Sequence, residues 1–147
     1  VFGPGDHFLS SFVSLLRWMP IFPLVCPNAR FAPVFVDDVV EAIVRVIIDP
    51  QKFVNRRIDL CGPAIYSFRE LIDLIIKAMD CRRLILEIPD PLARLQAAIL
   101  GTLPNKIFTQ DNYLSLQADS ISNNNGLFEL GINPKNIDQV IQQLVRE

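Results

Sequence analysis

The chain has 147 residues, half of them hydrophobic and a fifth charged, which suits one compact domain but is small for a complete two-domain enzyme. This composition excludes a disordered tail or a disulfide miniprotein. A net charge of -2 without a run of adjacent cations argues against nucleic acid as a partner.

Phe2-Gly3-Pro4-Gly5 forms a glycine-proline turn, after which Phe8, Leu9, Phe12, Val13, Leu15, Leu16 and Met19 recur at helical spacing until Pro20. This pattern predicts a helix over residues 6 to 19. Pro20 to Asn28 reads as a proline-punctuated loop, and Arg30 to Val36 as a short edge strand containing Pro33. Asp37 and Asp38 precede a helix from Val39 to Ile48, whose apolar residues spread so widely that burial on most sides is expected.

Asp49-Pro50 stops that helix, and Arg57-Ile58-Asp59-Leu60 reads as a strand that ends in the turn Cys61-Gly62-Pro63. Ser67-Phe68-Arg69-Glu70 has the form of a capping box, so a helix is expected from there to about Met79. Leu84 to Ile88 is a third strand. Asp90-Pro91 then opens a helix carrying Leu92, Leu95, Ile99 and Leu103. Thr109 caps a short helix through Gln117, and residues 120 to 126 form a polar loop. Asn133-Pro134 opens the terminal helix, with Ile137, Val140, Ile141, Leu144 and Val145 along one face.

Pro20, Pro23, Pro27, Glu41 and Arg45 break the apolar runs before the ~18 residues that a transmembrane helix requires. The mean hydropathy of +0.30 therefore implies either a large core or an apolar face that another domain or subunit covers, and the second is favoured. Together with the first residue, Val1, it makes the chain look like a piece of a longer protein. Cys26, Cys61 and Cys81 show no C-x-x-C pairing and suit a reducing compartment as small core residues, with Cys26 the one exposed enough to react. His7, the single histidine, has no partners for a metal site.

Four features could carry chemistry. The turn Phe2-Gly3-Pro4-Gly5-Asp6 runs into a helix N-terminus and could hold a cofactor edge or an anion, or could simply connect two elements. Arg30, whose guanidinium fork suits a carboxylate or a phosphate alike, could equally be a surface arginine or a partner for Asp37 or Asp38. Those two carboxylates could act as a general acid/base pair, or one of them could cap the helix from Val39. The segment Leu92 to Leu103, with Arg94, Gln96 and nearby Arg82, Arg83 and Lys106, could meet a membrane surface or a partner groove, or lie buried beside the terminal helix.

Three segments in order carry a resemblance: the Phe2-Gly3-Pro4-Gly5 turn, Arg30-Phe31-Ala32-Pro33-Val34-Phe35-Val36-Asp37-Asp38-Val39-Val40-Glu41-Ala42-Ile43, and Gly62-Pro63 followed by Ser67-Phe68-Arg69-Glu70-Leu71. Together they resemble the C-terminal half of extended and atypical short-chain dehydrogenase/reductases, the NAD-dependent epimerase/dehydratase-like proteins. The likeness is to the branch related to the nucleotide-binding accessory subunit of respiratory complex I. It extends to Leu130-Gly131-Ile132-Asn133-Pro134, and departs from the family pattern at Cys61 and Val40, where the family usually has glycine and alanine.

The resemblance implies an α/β fold, the C-terminal part of a Rossmann-like dehydrogenase, rich in helices and with few short strands. Residues 1–147 would form its substrate-side domain. The turn at Phe2, Gly3 and Pro4 would line the nicotinamide end of a cleft, and Arg30 would contact substrate phosphate.

The sequence contains neither a G-x-G-x-x-G loop nor a Tyr-x-x-x-Lys pair, so pyrophosphate binding and proton transfer are expected from an N-terminal half outside it. NAD or NADP is the expected cofactor of the full-length protein, with no tight binding by these residues alone. Two functions compete: the substrate-side part of an NAD(P)-dependent epimerase, dehydratase or reductase, and a non-catalytic accessory or assembly subunit of a respiratory NADH dehydrogenase complex. A homodimer joined through apolar faces is a third possibility. The expected location is cytoplasmic or the mitochondrial matrix, at most peripheral to a membrane.

Overall fold

The structure is a computed structural model that describes residues 1–89, 119–122 and 124–145. The expected helices of Leu92 to Leu103 and Thr109 to Gln117 lie outside the described residues. The elements run α1 (His7–Trp18), β1 (Ile21–Leu24), β2 (Arg30–Phe31), α2 (Val36–Ile48), a 3-10 turn (Pro50–Phe53), β3 (Tyr66–Ser67), α3 (Phe68–Ala78), β4 (Leu84–Glu87), α4 (Gly126–Glu129) and α5 (Ile137–Leu144).

Gly5 adopts a φ of 75°, a left-handed turn that glycine enters without steric cost. Asp6 then accepts a hydrogen bond from the Leu9 N–H at 3.2 Å, which satisfies an otherwise unpaired donor of the first turn of α1. Leu9, Val13 and Leu16 form the buried stripe of this helix.

The sequence reading is corrected at residues 20 to 28. Ile21–Leu24 is a strand, parallel to β4, with Ile21 opposite Leu84 and Leu24 opposite Glu87. Phe22 and Leu24 are buried while Ile21 is exposed, the period-2 alternation of a strand. Pro23 is tolerated because its fixed φ fits extended backbone and its missing N–H costs little at a sheet edge.

The expected strand from Arg30 to Val36 contracts to Arg30–Phe31, antiparallel to Tyr66–Ser67. Pro33 cannot donate to a ladder, and helix α2 already begins at Val36. Phe35 still bridges to Phe2 in parallel: the Phe2 N–H donates to the Val34 carbonyl at 2.9 Å and the Val36 N–H to the Phe2 carbonyl at 2.8 Å.

This start takes both aspartates out of the capping position expected of one of them. Phe35 is the N-cap residue and supplies no side-chain cap, while Asp37 and Asp38 lie in the first turn, where carboxylates complement the helix dipole. The expected burial of the helix on most sides is also corrected. Asp38 and Ala42 are buried, but Val40, Ile43, Val44, Ile47 and Ile48 are exposed, the last two by 70% and 76%. The apolar excess of the sequence thus emerges partly as an uncovered helix face.

Residues 57 to 60 form no strand. The stretch is held instead by α4, whose Gly126 N–H donates to the Asp59 carbonyl at 2.8 Å. Gly126 comes so close to Ile58 that a Cβ there would lie 2.1 Å from its Cγ2.

Helix α3 begins as the capping box requires. The Glu70 N–H donates to Ser67 Oγ at 3.2 Å and the Ser67 N–H to Glu70 Oε2 at 2.6 Å. The Ser67 N–H and, after it, the Ser67 hydroxyl, which donates to Glu70 Oε2 at 2.8 Å, hold the Glu70 carboxyl below its ordinary range. Ser67→Ala is expected to lower stability by about 1 kcal/mol, read from denaturant midpoints at unchanged slope. A change near zero would show that the box contributes nothing.

Phe68, Leu71, Ile72 and Ile75 are buried on α3, which packs against α1 and α5. Ile137, Val140, Ile141 and Val145 complete this main core, with Phe12 edge-on to both Phe22 and Phe68. A smaller core joins Val34, Ala42, Leu127, Leu130 and Ile132. No helix among the described residues is long and apolar enough to cross a membrane.

Candidate functional site

The Phe2-Gly3-Pro4 turn sits where the Phe2–Phe35 bridge meets the start of α1. Phe2 is buried against Phe35, with ring centroids 5.4 Å apart. Gly3 is required by close approach: a Cβ there would lie 2.4 Å from Val36 Cγ1. The turn is therefore packed onto the N-terminal end of α2, while Pro4 and Gly5 are exposed.

Beside the turn is a cavity of about 290 Å³ whose lining includes Phe2, Leu9, Phe31, Leu71, Ser120 and Ile137. It is mostly apolar and bordered by β2, α3 and α5. Of the four residues singled out from the sequence, Phe2 lines it, whereas Gly3, Pro4 and Arg30 do not. This cavity does not gather the four.

Arg30 is held by Asp119, a residue that sequence reasoning missed; the expected pairing with Asp37 or Asp38 does not occur. Arg30 Nε and Nη2 donate to Asp119 Oδ2 at 2.9 and 2.7 Å, and the Arg30 N–H donates to Oδ1 at 3.0 Å. These bonds keep the Asp119 carboxyl below its ordinary range. No local signal points to Asp119, because the partners stand 89 residues apart.

The two aspartates of α2 converge on Lys135. Asp38 Oδ2 accepts from the Lys135 N–H at 2.8 Å, and Asp37 Oδ2 lies 3.9 Å from Lys135 Nζ. That ammonium also stands 4.6 Å from the centre of the Phe35 ring. Asp38, which is buried, thus pins the approach to α5 onto α2, while the exposed Asp37 only neighbours the Lys135 ammonium.

Tyr66 is a second residue the sequence did not mark. Its hydroxyl lies 2.6 Å from Asn136 Oδ1 and 2.9 Å from Asp138 Oδ2. Burial, followed by the bond to Asp138, raises its pKa, which favours the protonated, hydrogen-bond-donating phenol further still. Burial also raises the Cys61 thiol, with Asp59 adding to the effect, which disfavours the reactive thiolate. Cys26 and Cys81 are half-buried. Among the described residues, no group of three or more His, Cys, Asp or Glu could hold a metal ion.

No family model matches the chain. Its fold matches that of the RMD protein from Pseudomonas aeruginosa, solved in complex with NADPH, with a TM-score of 0.60 at 14% identity over 98% of this chain and 43% of the other. The match shows a shared α/β, Rossmann-like fold. The dTDP-4-dehydrorhamnose reductase of Bacillus anthracis, solved with NADP, matches with a TM-score of 0.52 at 16% identity, over 88% of this chain and 43% of the reductase.

In sequence, the chain is similar to the mitochondrial NADH dehydrogenase [ubiquinone] 1 alpha subcomplex subunit 9 of Arabidopsis thaliana. The two are 25% identical over 135 residues, 85% of this chain and 34% of the subunit. The chain therefore spans about a third of that relative and less than half of the two structures. These likenesses agree with the α/β, Rossmann-like fold and with the complex I branch to which the ordered motifs pointed.

Proposed function

We propose that these residues form the substrate-facing wall of an NAD(P)-dependent reductase or epimerase, with the phosphate-binding loop carried on a segment outside the 147 residues. The observation that carries this reading is a fold match over nearly the whole chain to less than half of a protein in complex with NADPH, for a sequence without a glycine-rich dinucleotide loop. In this reading Phe2, Gly3 and Pro4 lie toward the nicotinamide end of the cleft and Arg30 meets an anionic group of the substrate. The chain orients substrate beside the hydride-carrying ring; the dinucleotide, when bound, supplies the hydride.

The apolar face of α2 fits a surface covered by that other segment. Ile47→Lys is expected to change the stability of the 147-residue chain by no more than about 0.5 kcal/mol, because the side chain is already in water. In the full-length protein the same substitution is expected to cost several times more. Equal small losses in the two would remove the helix face from the interface.

One observation favours a second reading, a nucleotide-binding accessory subunit without turnover: the curated relative is a subunit of NADH dehydrogenase. The two separate when the full-length protein is purified and its nicotinamide nucleotide is followed by fluorescence. Oxidation of bound NAD(P)H on addition of a nucleotide-sugar ketone supports the first reading. Bound, unreacting nucleotide together with co-purifying membrane redox subunits supports the second, and failure to bind either nucleotide defeats both.

A further inference from the structure

Five hydrogen bonds tie Asp119 and Ser120 to β2. Three are the contacts of Arg30 with the Asp119 carboxylate; in the other two, the Ser120 N–H donates to the Arg30 carbonyl at 2.8 Å and the Ala32 N–H to the Ser120 carbonyl at 3.0 Å. Three N–H donors, one backbone and two guanidinium, thus converge on one carboxylate. This fork fits the oxygens of a phosphate as well as those of an aspartate. Residue 120 meanwhile lines the cavity beside Phe2, together with Phe31 and Ala32, so one short strap both fills the fork and borders the cavity.

We propose that Asp119 is a built-in competitor for Arg30: an anion of the phosphate class displaces its carboxylate and, in doing so, loosens the Asp119–Ser120 strap at the cavity. The inference rests on the reading of Arg30 as an anion-binding residue and adds its regulation. The pair is solvent-exposed, with 55% of the Arg30 and 39% of the Asp119 side chain accessible, so the contact is weak enough for a ligand to exchange with. A fork occupied part of the time lowers apparent affinity by the occupied fraction, and removing the competitor restores it.

The test is titration with inorganic pyrophosphate of the full-length protein saturated with its nicotinamide nucleotide, so that the dinucleotide loop is already filled, followed by calorimetry and by amide hydrogen exchange at Ala32 and Ser120. Asp119→Asn is expected to bind about two- to fivefold more tightly than wild type, and Arg30→Gln to lose binding. In the wild type, pyrophosphate is expected to speed exchange at the Ala32 amide, a readout that stands if Asp119→Asn folds poorly. If Asp119→Asn binds no more tightly and Ala32 exchange does not change, while Arg30→Gln still abolishes binding, the competition is overturned and the Arg30 reading survives. If Arg30→Gln binds as well as wild type, or no form binds, the Arg30 reading fails and the inference falls with it.

Discussion

Replacing Gly62 by alanine is expected to destabilise the chain by about 3 kcal/mol or more, and to lower its melting temperature by about 10 °C. A Cβ at this position would lie 1.8 Å from the Pro33 carbonyl oxygen and 2.8 Å from its carbonyl carbon. Both obstacles are backbone, so no side-chain rotation relieves the clash. The approach is fixed from both sides: the Gly62 N–H donates to the Ala32 carbonyl at 3.2 Å, and Asn125 Nδ2 donates to the Cys61 carbonyl at 2.7 Å. Moving residue 62 away would break the bond to the Ala32 carbonyl next to β2. A melting temperature within a degree or two of wild type would show that the junction yields freely.

Phe68→Ala is expected to cost about 3 to 5 kcal/mol. Phe68 is 1% exposed and stands edge-on to Phe12 and Phe31, with centroids 5.4 and 6.0 Å away. Truncation would remove the ring that joins α1, β2 and α3 and leave a void that the rigid start of α3 cannot collapse to fill. The loss is expected to leave the capping box intact, because Ser67 and Glu70 bond through backbone and polar atoms. Equilibrium unfolding in denaturant reads the cost, and a loss below about 1 kcal/mol would contradict the assignment of Phe68 to the centre of the core.

These sites differ in how far the sequence discloses them. Ser67 and Glu70 are legible because a capping box is local: its donors and acceptors lie within one turn. Helices α1, α3 and α5 are legible for the same reason, their buried residues repeating at the helical period. Strand β1 is not, because Pro20, Pro23 and Pro27 signal a loop, whereas pairing with β4, some sixty residues away, selects an extended chain that Pro23 can also adopt. Helix α2 misleads in two ways. Asp37 and Asp38 look like caps until the Phe2–Phe35 bridge fixes where the helix begins, and an apolar composition does not distinguish a buried helix from one that leaves Val40, Ile43, Val44, Ile47 and Ile48 exposed.

The candidate site is less legible still. Gly3 stands out in sequence as a glycine that could admit a ligand, but in space Val36 occupies the side where its Cβ would stand. Arg30 stands out as a cation, yet its partner Asp119 is set by tertiary structure alone. Tyr66 carries no motif, and its hydroxyl gains meaning only when α5 brings Asn136 and Asp138 to it.

The central claim is that half of a dinucleotide cleft resides here and the phosphate-binding half elsewhere. Calorimetric titration of NADH and NADPH into the 147-residue chain and, in parallel, into the full-length protein tests it most directly. The account predicts saturable binding of one nucleotide by the full-length protein and no measurable binding by the 147 residues. Micromolar affinity in the 147-residue chain would contradict it.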